Sequence, residues 1–217
     1  MANFLYSQLL VTPSYPTVSF AGQIAIVTGS NTGLGLEAAR HIVRLGAEKV
    51  ILAVRNTSKG EAAKQSIEDS TQRSGIVEVW SLDLSSYESV KQFAKRAQSL
   101  RRLDLLLENA GMMQNSFTTT EQDESTVTTN VTSTFLLALL VLPKLQETAQ
   151  NFNTLPRLTI VASDAHFITK FKERKAERIF DELNNEKGVD MLDRYGSLVA
   201  EASAGILLNH SLFVDMV

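Results

Sequence analysis

The most informative part of the sequence is Gln23-Ile-Ala-Ile-Val-Thr-Gly-Ser-Asn-Thr-Gly-Leu-Gly35. Its first half is apolar and rich in β-branched residues, which is typical of a strand buried on both faces of a parallel sheet. The glycines Gly29, Gly33 and Gly35 let the backbone turn sharply and let a ligand approach bare amides. The helix that follows directs its free N–H groups and positive dipole end at the turn, which favours a bound pyrophosphate. The alternative is a tight strand-to-helix turn without a ligand.

Composition excludes several classes of protein. We expect the 217 residues to form one domain, and a hydrophobic content of 44% is enough for a substantial core. The net charge of −3 predicts no global attraction to nucleic acid or to anionic membranes. The absence of cysteine excludes thiol catalysis, and the three scattered histidines form no metal-ligand spacing. Composition therefore indicates neither a nucleic-acid nor a membrane partner.

The N-terminal region shows no secretory pattern. No lysine or arginine precedes the partly apolar residues 4–11, and Gln8 interrupts them. Pro13 and Pro16 predict that residues 1–20 form an extended arm. The longest apolar run, 135–142, is too short to span a bilayer. We therefore expect a soluble, cytoplasmic protein.

Strand and helix patterns alternate along the rest of the chain, which predicts βαβ units around a parallel sheet. With right-handed crossovers the expected fold is α/β, a Rossmann-like doubly wound sheet with strand order 3-2-1-4-5. The predicted strands are 24–28, 49–54, 76–82, 103–107 and 157–162. The first three predicted helices begin near residues 33, 59 and 86, with Gly46 ending the first and Ser86 capping the third.

Periodicity gives more detailed expectations for three helical segments. In helix 33–45, one face is predicted to carry Leu34, Ala38, Ile42 and Leu45 and to be buried. A long helix over 124–146 should bury one face and bend near Pro143; that face is Val127, Val131, Thr134, Leu137, Ala138 and Val141. The charged residues 170–186, within a charged insert at 165–194, predict a solvated helix rather than a binding patch.

Polar residues follow the predicted strands. Ligands of doubly wound sheets bind beyond the carboxyl ends of the strands, where the order reverses between the first and fourth strand. Geometry alone therefore selects Thr28, Val54, Asp83, Asn109 and Ser163 as candidate ligand contacts.

The loop Thr28-Gly-Ser-Asn-Thr-Gly-Leu-Gly35 does not have the spacing Gly-x-Gly-x-x-Gly; it resembles the cofactor loop of the short-chain dehydrogenase/reductase family. The resemblance extends over residues 22–195 and is nearest to retinol dehydrogenases and fungal secondary-metabolite reductases. It implies that residues 1–217 form a single NAD(P)-binding domain that acts on a small-molecule substrate. It also implies catalytic roles for Asn130, Ser163 and Tyr195. It also implies a nicotinamide-dinucleotide site formed by Gly29, Ser30, Asn31, Gly33, Leu34, Gly35, Asp83, Leu84, Asn109, Ala110, Gly111 and Tyr195.

Several of these roles have a purely structural alternative. Asp83 could begin a turn into the following helix instead of meeting the adenine ring. Asn130 could be a buried helical asparagine bonded to backbone, and Ser163 could cap the end of a strand.

Arg55 bears on the choice of cofactor. An acid near this point of the fold would bind the ribose hydroxyls of NAD, but Val54-Arg55 stands there instead. A guanidinium suits a 2′-phosphate through bidentate charge-assisted bonds. We therefore expect NADP rather than NAD, the alternative being a solvated arginine at a strand end.

The sequence departs from the family at its motif Tyr-x-x-x-Lys. Tyr195 is followed four residues later by Val199, and no lysine occurs after Lys187. A free phenol has a pKa of about 10, and the family's ammonium group helps to lower it. The sequence is therefore consistent with an NADP-dependent reductase acting on a carbonyl or secondary alcohol. It is also consistent with a non-redox or inactive descendant that binds a dinucleotide or pathway intermediate.

Two further expectations come from the family. It has strands after the tyrosine helix, and none is predicted here after 157–162. The resemblance also implies a homodimer through the long helix, whose second face is apolar at Phe135, Leu136, Leu139 and Leu140.

Overall fold

The computed structural model describes residues 11, 14–167 and 169–198. Within them, five parallel strands form one sheet in the order β3-β2-β1-β4-β5, which confirms the predicted topology. The order reverses between β1 and β4, so the expected ligand crevice lies at their carboxyl ends. The strands are β1 Ile24–Thr28, β2 Lys49–Val54, β3 Val77–Ser81, β4 Leu105–Glu108 and β5 Arg157–Ile160.

The helices connect these strands in βαβ units. They are α1 Gly33–Arg44, α2 Thr57–Thr71, α3 Tyr87–Gln98, α4 Ser133–Phe152, α5 Ile179–Leu183 and α6 at 191–198. The predicted cap of α3 is confirmed, since Ser86 Oγ accepts a hydrogen bond from Ser89 N at 3.3 Å. Gly46 follows the end of α1 with φ of +100°, a conformation that favours glycine.

The sheet buries a hydrophobic layer on each face. On one side, Val27 and Leu52 pack with Ile42 of α1 and Ile67 of α2. On the other side, Ile26, Ile51 and Leu106 pack with residues of α3 and α4, among them Phe93, Leu137 and Val141. All five residues of β1 are buried because helices cover both faces of the central strand.

The buried face of α1 differs from the predicted one. Leu34 is 80% exposed, so its placement on the buried face is wrong, whereas Ile42 is buried as expected. In the first turn of α1, Gly35 packs against Asn109 and Gly29 and leaves no room for a side chain. The buried stripe of α1 therefore includes Gly35, Ala39, Ile42 and Val43.

The long helical segment extends from Ser125 to Phe152 and contains a π-helical turn at Thr128–Thr132. Every residue predicted for its buried face is buried, and the helix continues past Pro143. By length and composition alone this segment could cross a membrane, but 61% of its most apolar window is buried inside the fold. It is accordingly packed here as a core helix against α3 and the sheet.

The charged insert does not form the single helix predicted over 170–186. It contains a 3₁₀ turn, Lys172–Lys175, and the short helix α5, because Phe171 has φ of +39° and Ala176 is extended. Ion pairing also draws Glu173 inward, as described below. The predicted helical region beyond residue 198 lies outside the described residues, as does Val199.

Candidate functional site

The ends of β1 and β4 are joined by side-chain hydrogen bonds. Thr28 Oγ1 accepts from Asn109 N at 3.0 Å and from Ala110 N at 2.9 Å. Asn109 Nδ2 donates to Thr28 O at 3.0 Å. We call Thr28, Gly29, Gly35, Asn109 and Ala110 the β1–β4 floor, because they pack against one another at the point where the strand order reverses.

Two glycines make this floor possible. Gly29 has φ of +64°, and a Cβ built on it would lie 2.9 Å from Ala110 Cα. A Cβ on Gly35 would lie 2.4 Å from Asn109 Nδ2 and 2.7 Å from Gly29 O. Because the neighbouring backbone would have to move to admit a methyl group, no side chain fits at either place. The first turn of α1 is therefore packed directly against the ends of β1 and β4, which brings the free N–H groups of the helix to the edge where the strand order reverses.

A cavity of about 400 Å³ opens over the floor. It is lined by residues that follow four strands: Gly29, Asn31 and Thr32 after β1, Arg55 after β2, Asp83, Leu84 and Ser85 after β3, and Asn109 to Met112 after β4. Eight of the predicted cofactor residues line it, namely Gly29, Asn31, Arg55, Asp83, Leu84, Asn109, Ala110 and Gly111. Ser30, Gly33, Leu34 and Gly35 are not among its lining residues; Ser30 is buried and donates from Oγ to Val27 O at 2.7 Å.

Two charged residues line this cavity, Arg55 and Asp83. Arg55 is exposed at the end of β2. Asp83 Oδ1 accepts from Ser85 N at 2.9 Å and from Ser85 Oγ at 2.6 Å, so Asp83 also forms the turn into α3 that was its structural alternative. A carboxylate has about four acceptor positions, and these bonds therefore leave capacity for a ligand.

A second cavity of about 250 Å³ adjoins the first and shares with it Asn109, Ala110, Gly111 and Met112. Tyr195 and Asn130, two of the three predicted catalytic residues, line it together with Glu108, Met113, Thr134, Ile160, Val161, Ala162 and Leu198. The third, Ser163, is the next residue along the chain from this lining, and its Oγ accepts from Ala165 N at 3.2 Å. The fold thus brings the predicted tyrosine beside the predicted cofactor cavity.

Asn130 lies in the π-helical turn, and both polar atoms of its side chain are bonded to one residue. Its Oδ1 accepts from Met112 N at 2.8 Å, and its Nδ2 donates to Met112 O at 2.7 Å. This pair of bonds fixes the backbone between the two cavities. The side-chain amide of Asn130 is therefore already in use. A water ordered by Asn130 would bond to its backbone, or to the second hydrogen or lone pair of this amide.

The helix that carries Tyr195, α6, is anchored by the charged insert. The Arg194 side chain is 4% exposed; its Nε pairs with Glu173 Oε1 at 3.2 Å, and its guanidinium also donates to Leu183 O. Ser197 Oγ donates to Glu173 Oε2 at 3.2 Å. Glu173 therefore anchors α6 through a residue before Tyr195 and a residue after it in the sequence.

Replacing Glu173 by glutamine is expected to loosen α6. The change leaves the buried Arg194 guanidinium without its countercharge, which destabilises such sites by about 3 kcal/mol. Hydrogen exchange of the amides in 191–198 should become faster, whereas the exposed control Glu177→Gln should leave it unchanged. Equal protection in wild type and Glu173→Gln would contradict this anchoring role.

Glu108, the last residue of β4, is the least expected member of the second cavity. It is 3% exposed, and neither carboxyl oxygen has a hydrogen-bond partner among the described residues. Burial raises the pKa of the Glu108 carboxyl well above its ordinary value of 4.5. The group is therefore neutral over a wider pH range than an exposed glutamate.

Sequence reasoning did not select Glu108, Met112, Met113 or Thr134 as site residues. Glu108 could have been selected from the sequence, because it is an acid directly before Asn109 at the carboxyl end of a predicted buried strand. In the part of the chain that the structure describes, no group of three or more acidic or histidine side chains is placed to hold a metal ion.

Comparison with known proteins gives a consistent result. The family model for short chain dehydrogenase matches residues 23–151. The chain is 51% identical over 176 residues to the short chain dehydrogenase/reductase dmxR8 of Cryptosporiopsis sp. (strain 8999), covering 80% of this chain and 54% of that protein. It is 49% identical over 197 residues to the short chain dehydrogenase atnD of Emericella nidulans, covering 90% and 62%. The chain thus spans little more than half the length of these curated relatives.

Solved structures agree with this fold. A short chain dehydrogenase from Escherichia coli CFT073 complexed with NADPH is 27% identical, with a TM-score of 0.65 over 90% of this chain and 74% of that one. A related protein from Shigella flexneri complexed with NADP is 26% identical, with a TM-score of 0.64 over 89% and 73%.

Proposed function

Because the chain belongs to the short-chain dehydrogenase/reductase family, we propose that it is an NADP-dependent oxidoreductase acting on a carbonyl or secondary alcohol. The observation that carries this proposal is the pair of adjoining cavities, one over the β1–β4 floor and one lined by Tyr195. The resemblance to fungal secondary-metabolite reductases and the identity of about 50% to fungal short chain dehydrogenases support a role in secondary metabolism. We further propose a cytoplasmic protein that dimerises through the long helix, whose outer residues Leu139 and Leu140 are exposed.

The residues present fit a dinucleotide. Gly29 and Gly35 let the first turn of α1 pack closely on the ends of β1 and β4, so the free N–H groups of this helix begin beside the larger cavity, where they would bind a pyrophosphate. When bound, the nicotinamide would supply or accept the hydride. Asp83 and Leu84 would border the adenine, and Arg55 would meet a 2′-phosphate.

Residues of this chain would transfer the proton to or from the substrate oxygen. The Tyr195 hydroxyl would donate a proton to the oxygen on the reacting carbon in reduction and would accept it in oxidation. The Ser163 hydroxyl would hydrogen-bond the same oxygen. Asn130 would keep the Gly111–Met112 segment in place between the two cavities. The Glu173–Arg194 pair would hold the tyrosine helix in position.

Cofactor choice is tested at Arg55. Replacing it by alanine should weaken NADPH binding about tenfold, because a charge-assisted bond to the 2′-phosphate is lost, and should leave NADH binding unchanged. The measurement is titration of fluorescence with each dinucleotide. The control Arg157→Ala removes an exposed arginine at the amino end of β5, the opposite edge of the sheet. If the binding of NADPH and NADH weakened equally, or if neither weakened, the assignment of NADP would be wrong.

A non-redox descendant that binds a dinucleotide or a pathway intermediate is the second candidate, and it is favoured by Val199 in place of the family's lysine. The test compares wild type with Val199→Lys on a panel of carbonyl compounds with NADPH. NADPH binding without turnover in either protein would support the non-redox reading. Turnover in the wild type would support the reductase.

A further inference from the structure

Gly196 lies inside α6, directly after Tyr195, and it is buried. A glycine within a helix lowers stability relative to alanine, so its presence there calls for a structural reason. A Cβ built on Gly196 would lie 2.8 Å from Thr169 Cβ and 3.0 Å from Ala165 O. Because part of this contact is backbone, a methyl group would fit only if α6 or the neighbouring segment moved. Gly196 therefore allows the tyrosine helix to pack directly on the segment that follows β5.

The same segment carries Ser163, the third predicted catalytic residue. Ala165, whose carbonyl oxygen contacts Gly196, donates from its backbone N to Ser163 Oγ at 3.2 Å. One residue thus touches the helix next to Tyr195 and also bonds the side chain of Ser163. The separation of these two predicted catalytic side chains consequently depends on how closely α6 approaches the segment.

Thr169 adds hydrogen bonds across the same contact. Its hydroxyl lies within donor distance of Asp193 Oδ1, at 3.1 Å, and of Asp193 O, at 3.2 Å, and it is 3.1 Å from Ser197 Oγ. Asp193 Oδ1 also accepts from Lys170 N at 2.9 Å. Asp193 and Ser197 stand two residues before and two residues after Tyr195, so these bonds attach the turn of α6 that carries the tyrosine.

This contact lies outside both cavities. Neither Gly196 nor Thr169 is among the described residues that line them, whereas Tyr195 lines the smaller one. A change at either residue would therefore act on the cavity indirectly, through the position of Tyr195 or Ser163. Catalysis is sensitive to such a displacement, since a misplacement of about 1 Å can cost a factor of about a hundred in rate.

We propose that Gly196 and Thr169 are positioning residues, which hold the Tyr195 hydroxyl where it and the Ser163 hydroxyl can bond one substrate oxygen. Gly196 sets how closely α6 approaches the segment after β5, and the Thr169 hydroxyl ties the helix to that segment. The inference rests on the proposed function, because that function assigns the substrate oxygen to Tyr195 and Ser163.

A double-mutant cycle with Tyr195→Phe tests the role of Gly196. With NADPH and a carbonyl substrate, Gly196→Ala should lower kcat about 10- to 100-fold, because the methyl group displaces α6. In the Tyr195→Phe background the same change should lower kcat less than about twofold, because no tyrosine hydroxyl remains to be displaced. An equal fold loss in both backgrounds, or no loss in either, would overturn the proposal.

Thr169→Val and Thr169→Ser form a matched pair, since valine removes the hydroxyl and keeps the shape, whereas serine keeps the hydroxyl. Thr169→Val should lower kcat about tenfold, and Thr169→Ser should stay within about twofold of the wild type. NADPH affinity should be unchanged in both, because no described residue of α6 lines the larger cavity. A loss in Thr169→Ser as large as that in Thr169→Val would contradict the role of the hydroxyl.

Ketone binding provides a readout that needs neither turnover nor NADPH. The probe is cyclohexanone, followed by ligand-observed NMR, because its single oxygen is the atom that both hydroxyls would bond. Gly196→Ala should weaken its binding about fivefold, and only when the Tyr195 hydroxyl is present. The control Gly188→Ala, at φ of +67° with open space for a Cβ, should bind it as the wild type does. Equal affinity of wild type and Gly196→Ala, or equal weakening in the Tyr195→Phe background, would overturn the proposal.

These measurements separate this inference from the proposed function. If NADPH fails to bind, the reductase assignment is lost, and the ketone-binding cycle still tests the positioning role. Conversely, full NADPH turnover in Gly196→Ala and Thr169→Val would keep the reductase and remove the positioning role. Should Gly196→Ala fail to fold, Thr169→Val takes its place in both cycles with Tyr195→Phe.

Discussion

Gly35→Ala is expected to weaken NADPH binding about 10- to 100-fold and to lower the free energy of unfolding by about 3 kcal/mol. The added methyl carbon would lie 2.4 Å from Asn109 Nδ2 and 2.7 Å from Gly29 O. Neither neighbour can retreat cheaply, because Asn109 is bonded to Thr28 and Gly29 already packs on Ala110. Fluorescence titration and urea unfolding measure the two effects.

Gly75→Ala is the matched control for this substitution. Gly75 has φ of +75° and open space where a Cβ would lie, so alanine there is strained but meets no neighbour. We expect it to destabilise the fold by about 1 to 2 kcal/mol and to leave NADPH affinity unchanged. If Gly35→Ala bound NADPH as tightly as Gly75→Ala does, the floor would not be the cofactor surface.

Tyr195→Phe is expected to lower kcat for carbonyl reduction by about 100- to 10,000-fold while NADPH still binds. The hydroxyl is the group that the proposed function assigns to the reacting oxygen, and the ring alone can still line the cavity. Steady-state kinetics with NADPH and a carbonyl substrate measure the loss, and the fluorescence titration shows that the cofactor site is intact.

The control is Tyr15→Phe, because Tyr15 is 74% exposed and packs against His41 and Arg44 at the far end of α1. Its kcat should equal that of the wild type. If Tyr195→Phe retained wild-type kcat, the proton would be supplied by another group and the role of Tyr195 would be lost.

The sheet was predictable because its strands are short apolar runs bounded by turn residues. The predicted bounds of β1 and β2 match the structure, since Gly22 and Gly29 flank β1 and burial on both faces requires a continuous apolar run. The buried face of the long helix was equally clear from its period. In both cases local pattern and tertiary packing favour the same structure.

The features that could not be predicted depend on contacts between distant residues. Leu34 has the period of a core residue, but the first turn of α1 approaches Asn109 so closely that Gly35 takes that place. The charged insert resembles a solvated helix, but Leu183 is fully buried in a cluster with Val127, and Glu173 pairs with Arg194, 21 residues away. The isolation of the Glu108 carboxyl group is likewise visible only when its neighbours are in place.

The hydrogen bonds of Thr28 to Asn109 and Ala110 have a consequence for kinetics. They join the two loops of the β1–β4 floor within the described chain, so a dinucleotide would meet a surface that needs no ordering. Association should then follow one exponential phase, with an observed rate that rises in proportion to NADPH concentration and reaches no plateau. Discrimination between dinucleotides would appear in the dissociation rate, and residence time would be the quantity that separates a good cofactor from a poor one.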